Sequence, residues 1–299
     1  MLKVENVTKY YGDFLAVDDL SFEVEKGEIF GLLGVNGAGK TTTFRMIMGL
    51  LDLNEGKISL NGGKIDYSMT DKIGFLTEER SLLTKLTVKE QCEYYGKLKG
   101  MTQKEIEENA GFLLKKFGVP DYWDRKIKEL SKGNQQKIQF ITAIMHKPDL
   151  LILDEPFSGL DPLNVEIFKT EIKEMAANGC MIIFSSHRME HVELFCKKIV
   201  IIQDGKSVLA GEISKIKEDF RKKNIFVKGE GIDKKELEKT EGVLSVSEIG
   251  DELEVKIQDI EHVDVVFNKI KDKKIFKFVV EQPSLNEIFV AKVGEKFGE

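Results

Sequence analysis

Residues 2–8 alternate apolar and polar side chains, the period of a half-buried strand. Residues 29–34, IFGLLG, form an apolar run ending in glycine, and a helical pattern follows over 39–50. Short apolar runs recur at 72–76, 150–154, 181–186 and 198–203. Buried runs separated by helical patterns predict a parallel sheet covered on both faces, the α/β class. From about residue 86 to 145 no strand pattern occurs. Lys, Glu and Gln fall at helical spacing there, which predicts a helical insertion punctuated by Pro120 and Gly133. The pattern changes again near residue 220, after the charged break RKKN. IFVK, DKKELEKT, VLSVSEI, ELEVKIQ, HVDVVFNKI and IFKFVVE then read as strand, helix, strand, strand, helix, strand. That is the order of a split βαβ, ferredoxin-like α+β module. A helical segment, SLNEIFVAKVG, follows. The expected organisation is an α/β domain over 1–220 and a small α+β domain over 221–299.

Composition narrows the function classes. The 299 residues carry 45 Lys plus Arg against 51 Asp plus Glu, a net charge of −6. A protein built mainly to grip nucleic acid usually shows a basic face, so this balance argues against that partner. Three separated cysteines, Cys92, Cys180 and Cys196, give no disulfide framework and point to a reducing compartment. The opening MLKVENVTKYYGDF lacks the apolar stretch of a signal peptide. No apolar run approaches the roughly 20 residues that cross a bilayer. No transmembrane span is expected.

Gly34-Val35-Asn36-Gly37-Ala38-Gly39-Lys40-Thr41 fits GxxxxGK[ST], after an apolar strand and before a helix. Glycines let the backbone wrap a phosphate, and the inward N–H groups and the helix N-terminus favour the anion. Lys40 supplies a point charge to the outer phosphates, and the Thr41 hydroxyl suits a Mg²⁺ ligand. The strand at 150–154 ends in Asp154 and Glu155. Asp154 suits Mg²⁺ at a nucleotide site, and Glu155 suits a base that polarises an attacking water.

These motifs, in this order, resemble those of ABC transporter ATP-binding subunits over roughly residues 1–215. Gly34 to Thr42 looks like the Walker A loop, and Leu150 to Glu155 like Walker B with its catalytic glutamate. Leu130-Ser131-Lys132-Gly133-Asn134-Gln135-Gln136 looks like a variant LSGGQ signature, and Ser158-Gly159-Leu160-Asp161 like the D-loop. His187 in Phe184-Ser185-Ser186-His187 looks like the switch histidine. Tyr11 in KYYG looks like the aromatic that stacks on adenine, with Tyr10 as the alternative and Val17 flanking. Lys132 and Asn134 depart from the usual signature, while Ser131 and Gly133 remain. Glu78 stands where the family carries a glutamine, and a carboxylate can also ligate Mg²⁺. The Glu78-Glu79-Arg80 run is similar to an export-type branch that carries a small C-terminal domain, that of sodium and multidrug efflux ATPases.

The resemblance implies ATP and Mg²⁺ as cofactors and an ATP hydrolase that works as a homodimer or heterodimer. Each ATP would touch the P-loop of one subunit and Ser131 and Gly133 of the other. It further implies a separate integral-membrane permease and a cytoplasmic location on the inner face of the cell membrane. Two other classes remain. A soluble ABC ATPase acting on ribosome or DNA is disfavoured by the single cassette and the short spacing from Lys40 to Ser131. An ATP-binding regulator is disfavoured by Glu155 and His187. His187 and His191 have helical metal-ligand spacing, but no HExxH accompanies them, and His191 reads as a solvated helix residue. Leu86, Val88, Tyr94, Tyr95 and Leu98 read as core of the insertion, with some positioned to line a groove for a permease helix. Lys222-Lys223 and Lys273-Lys274 read as solvated faces, and the C-terminal module as a regulatory or dimer-contact domain.

Overall fold

The computed structural model describes residues 1–78 and 82–294, with the side chain of Tyr67 excepted. Glu79 and Arg80 of the branch-marking run therefore lie outside the described residues. The chain divides into two compact units, Met1–Ala210 and Gly211–Glu299.

In the first unit the chain runs through β1 (Leu2–Tyr11), β2 (Phe14–Val24), β3 (Ile29–Gly34), α1 (Lys40–Ile47), β4 (Glu55–Leu60) and β5 (Gly63–Lys64). It continues through β6 (Ile73–Leu76), α2 (Val88–Leu98), α3 (Gln103–Lys116) and α4 (Lys132–Ile144). Then follow β7 (Leu150–Asp154), α5 (Pro162–Ala177), β8 (Met181–Ser185), α6 (Met189–Phe195), β9 (Lys198–Gln203) and β10 (Lys206–Glu212).

Six strands form one sheet in the order β10-β9-β3-β8-β7-β6. The pairs β9/β3, β3/β8, β8/β7 and β7/β6 are parallel. Their near-continuous burial explains the short apolar runs of the sequence. A second sheet, β2-β1-β4-β5, is antiparallel and was not expected. Its signal is weak because one face is polar: in β4 only Ile58 and Leu60 are buried. Leu2, Val4 and Leu20 from this sheet share a core with Phe30 and Leu32 of β3 and Phe44 of α1.

Helices α2, α3 and α4 fill the stretch read as helical. Thr87 and Thr102 each close a capping box, with Glu90 and Glu105 as the returning carboxylates. The rings of Phe117, Phe140 and Phe168 meet at 4.6–5.6 Å and are fully buried, so the end of α3, α4 and α5 share one core. Phe157 extends this cluster to Phe168, Phe184 and Phe195. His191 packs edge-on against Phe157 at 4.8 Å and is buried, which corrects its reading as a solvated residue. The cause is the short turn of α6, which directs Met189, Val192 and Phe195 inward along with it.

The second unit holds α7 (Ile213–Asp219), β11 (Lys223–Glu230), α8 (Lys234–Glu238), β12 (Val243–Ile249), β13 (Glu252–Ile257), α9 (Val263–Ile270), β14 (Lys274–Glu281) and α10 (Leu285–Gly294). Its sheet is antiparallel, in the order β12-β13-β11-β14. Ile225, Val227, Val255 and Ile257 pack against Leu237, Val266 and Ile270 as a separate core. The division falls ahead of the expected residue 220 because α7 buries Ile213 and Ile216 and packs against α10. Lys223 is not a solvated lysine: its Nζ donates to the carbonyls of Lys217, Glu218 and Phe220 at the end of α7. A cation there complements the negative end of the helix.

Phe140→Ala would open a cavity in the aromatic cluster and is expected to destabilise the first unit by about 3–5 kcal/mol. Urea titration followed by fluorescence of Trp123, which lies between α3 and α4, would show the lowered midpoint.

Candidate functional site

The loop after β3 is shaped by contacts that exclude side chains. A methyl group on Gly34 would meet the Ile202 carbonyl at 2.4 Å, and one on Gly39 the Ala16 carbonyl at 2.6 Å. Gly39 also has φ of 108°, a conformation that favours glycine. The loop is tied down by Gly205, whose N–H donates to the Ala38 carbonyl while its carbonyl accepts from Asp18. It leads directly into α1, so the helix N-terminus faces the same pocket. Because β3 lies between β8 and β9, the loop sits where the strand order reverses, the usual ligand crevice of an open α/β sheet.

Lys40 folds back over this loop and donates to the carbonyls of Gly34 at 2.7 Å and Val35 at 3.1 Å. Burial pushes its ammonium below the ordinary lysine range, while Asp154, Glu155 and Glu78 oppose that shift. Lys40, Thr41, Thr42, Glu78, Asp154 and Tyr11 line one cavity of about 450 Å³ together with Asn36 and Gly37.

Asp154 ends β7 and is buried, in register with Ser185 of β8. Burial pushes its carboxyl up to about 6; Lys40 counters this, and Glu78 and Glu155 add to it. Glu155 has φ of 50°, the left-handed region that non-glycine residues rarely occupy. Its Oε1 accepts from the His187 backbone N–H at 2.5 Å and faces His187 Nδ1 at 2.9 Å. Its Oε2 accepts from the Ser186 hydroxyl at 3.1 Å. The turn after β7 thus presents a carboxylate to the loop after β8, beside the cavity that holds Lys40.

Most of the residues singled out in the sequence converge here; Val17, Ser131 and Gly133 do not. Val17 is fully buried beneath the loop, 3.3 Å from where a Gly39 side chain would stand. The alternation of β2 turns Val17 into the core, and Ala16 and Phe14 reach the cavity instead. Tyr11 does line the cavity, half exposed, in cross-strand register with Phe14. Phe14 was missed; its only signal was an aromatic two residues past Gly12, across the β1–β2 turn. Ser131 and Gly133 are not among the residues of this cavity. Ser131 caps α4, its hydroxyl accepting from the Asn134 N–H at 3.4 Å, and Gly133 faces the Gly159 carbonyl. Asn134 donates to the Tyr122 hydroxyl at 2.9 Å, so this departure from the usual signature has a local structural use. Gln136 donates to the Pro156 carbonyl and ties α4 to the turn that carries Glu155.

A family model described as ABC transporter matches residues 17–158. A second, described as ATP-binding protein DrrA1-3-like, C-terminal domain, matches residues 211–293. The chain is 48% identical to the ABC transporter ATP-binding protein YhaQ of Bacillus subtilis (strain 168), over 98% of this chain and 99% of that protein. It is 39% identical to the linearmycin resistance ATP-binding protein LnrL of the same organism, over 71% of this chain and 69% of that one. Among solved structures, the dimeric bacterial ABC transporter cassette MJ0796 superposes with a TM-score of 0.65 at 25% identity, covering 71% of this chain and 99% of that one.

The raised Asp154 carboxyl sets a sign for pH dependence. Its folded value lies near 6 and its ordinary value near 3.8. Between these the unfolded chain ionises Asp154 while the folded chain keeps it protonated. Asp154 therefore withdraws stability as pH rises through that window. Asp154→Asn should gain on the nucleotide-free wild type by up to about 3 kcal/mol from pH 4 to pH 6.5. Paired urea titrations across that range measure the difference.

Proposed function

The chain belongs to the ABC transporter ATP-binding proteins, and from that premise we propose that it drives export by closing as a dimer around ATP beneath a separate membrane permease. It is an ATP-binding and ATP-hydrolysing transporter subunit. No helix among the described residues is long and apolar enough to cross a membrane. Export is supported by the likeness to a resistance ATP-binding protein and by the C-terminal module shared with the DrrA1-3-like family. The cytoplasmic position on the inner membrane face follows from the same reading.

The roles of the site follow from its geometry. Backbone N–H groups from Gly34 to Thr42 and the start of α1 wrap the phosphates. Lys40 exchanges its two carbonyl partners for phosphate oxygens, a better match for a desolvated ammonium. Tyr11 stacks on adenine, with Phe14 beside it. Thr41, Asp154 and Glu78 bring hard oxygen donors to the lining of the cavity, which fits Mg²⁺. Among the described residues no three His, Cys, Asp or Glu side chains form a metal cage by themselves, as suits an ion that shares its ligands with substrate phosphates. When bound, Mg²⁺ neutralises charge on those phosphates. Glu155 takes the proton of the attacking water, and His187 orients that water or contacts the γ-phosphate. Ser131 and Gly133, which do not line their own chain's cavity, complete the site of a second subunit; the dimeric relative supports this arrangement. The observation that carries the reading is the meeting of Lys40, Asp154, Glu155 and His187 at adjacent strand ends.

The permease contact is read on the first unit. Tyr95 and Leu98 of α2 line a cavity of about 570 Å³ with Phe75 and Gln139, and Leu98 is 60% exposed. This suits a helix laid into a groove. The C-terminal unit is read as a split βαβ, ferredoxin-like module with a regulatory or dimer-contact role. Its order β14-β11-β13-β12 supports the topology.

Glu155→Gln removes the base and keeps the shape. Steady-state ATP turnover should fall by roughly 10²–10⁴, while gel filtration with Mg-ATP should show a dimer. Wild-type turnover in this variant would remove Glu155 from its role.

A further inference from the structure

Glu155 is held in a strained conformation, and the residues that hold it are specific. Its backbone N–H donates to the Ser185 carbonyl at 3.0 Å, immediately beyond the Asp154–Ser185 pair that ends the β7–β8 ladder. That register brings Ser186 to the Glu155 side chain. Ser186 is buried at 6% exposure, and its hydroxyl has two partners. It accepts from the Arg188 backbone N–H at 3.1 Å and donates to Glu155 Oε2 at 3.1 Å. An amide N–H can only donate and an ionised carboxylate can only accept, so the single hydroxyl proton has one direction available.

The two carboxylate oxygens are therefore held differently. Oε1 accepts from the His187 backbone N–H and faces Nδ1 of the His187 ring, a side chain that is 78% exposed. The donor on Oε2 belongs to a buried residue fixed at both ends. A turn of the His187 ring removes one of the contacts on Oε1, while the Ser186 hydroxyl still holds Oε2. We propose that Ser186 is the positioning residue of this ATPase: by holding Glu155 Oε2 it fixes which oxygen, Oε1, is offered to the attacking water. The proposal rests on the reading of Glu155 as the base. Ser186 acts through Glu155, and misplacing a reacting group by about 1 Å can cost on the order of 10²-fold in rate.

The test compares wild type, Ser186→Ala, Ser186→Thr, Glu155→Gln and the double variant Ser186→Ala/Glu155→Gln, each as the full chain with Mg-ATP. In Ser186→Ala, kcat should fall by roughly 10- to 100-fold, with KM and ATP affinity within about two-fold of wild type. Ser186→Thr keeps the hydroxyl and should restore most of the rate. The double variant should be no slower than Glu155→Gln alone, because the hydroxyl acts only through that carboxylate. Wild-type kcat in Ser186→Ala beside an inactive Glu155→Gln would overturn the proposal and leave the base in place. A further loss in the double variant, or a KM that rises as kcat falls, would overturn it as well and assign Ser186 a structural role. Turnover surviving in Glu155→Gln would instead overturn the assignment of the base, and the proposal with it.

Discussion

The site is organised around an imbalance of charge. One desolvated ammonium, Lys40, faces the carboxylates of Asp154, Glu155 and Glu78. Burial is the main cause that pushes the Asp154 carboxyl up to about 6, and Glu78 and Glu155 add to it against the pull of Lys40. A triphosphate entering this pocket adds still more negative charge. Backbone N–H groups of the glycine loop and the positive end of α1 offset part of that, and a divalent cation offsets more. The donors proposed to complete the site lie at the start of α4, which Ser131 caps and whose first turn carries Lys132 and no acidic side chain. They do not line the P-loop cavity of their own chain. A second subunit is the economical way to bring them to a nucleotide, and it ties nucleotide binding to association.

The fold explains how a signal can leave the nucleotide. The loops carrying Lys40, Glu155 and His187 follow three neighbouring parallel strands, β3, β7 and β8, whose burial keeps their ends in register. From the Glu155 turn, two routes lead to the helical insertion. One is the hydrogen bond from Gln136 to the Pro156 carbonyl, and the other is the aromatic chain from Phe157 through Phe168 to Phe140 and Phe117. Both reach α4, whose first residues belong to the signature-like segment and whose Gln139 reaches Thr77, next to Glu78. A change at the nucleotide therefore has a packed, hydrogen-bonded connection to the face proposed for the permease.

Much of this was legible in the sequence because the chemistry is local. A glycine loop ending in Lys40, and an apolar strand ending in Asp154 and Glu155, are contiguous and carry their own context. The parallel strands were visible because burial on both faces gives unbroken apolar runs. The antiparallel sheet was not, since strands such as β4 bury only two apolar side chains. Features that depend on tertiary placement were also lost. Whether Val17 or Phe14 reached the cavity depended on the exact register of β1 with β2. The burial of His191 depended on Phe157, more than thirty positions away in the chain. Ser186 looked like a neighbour of the switch histidine until the β7–β8 register set it against Glu155.

The central claim is that a working site needs two chains, because its P-loop half and its signature half do not meet within one. The most direct test is specific ATPase activity measured against chain concentration, alongside sedimentation under the same conditions. The account predicts that activity per chain rises with concentration and levels off as the dimer fills. Constant activity per chain at concentrations where the protein sediments as a monomer with Mg-ATP would contradict it.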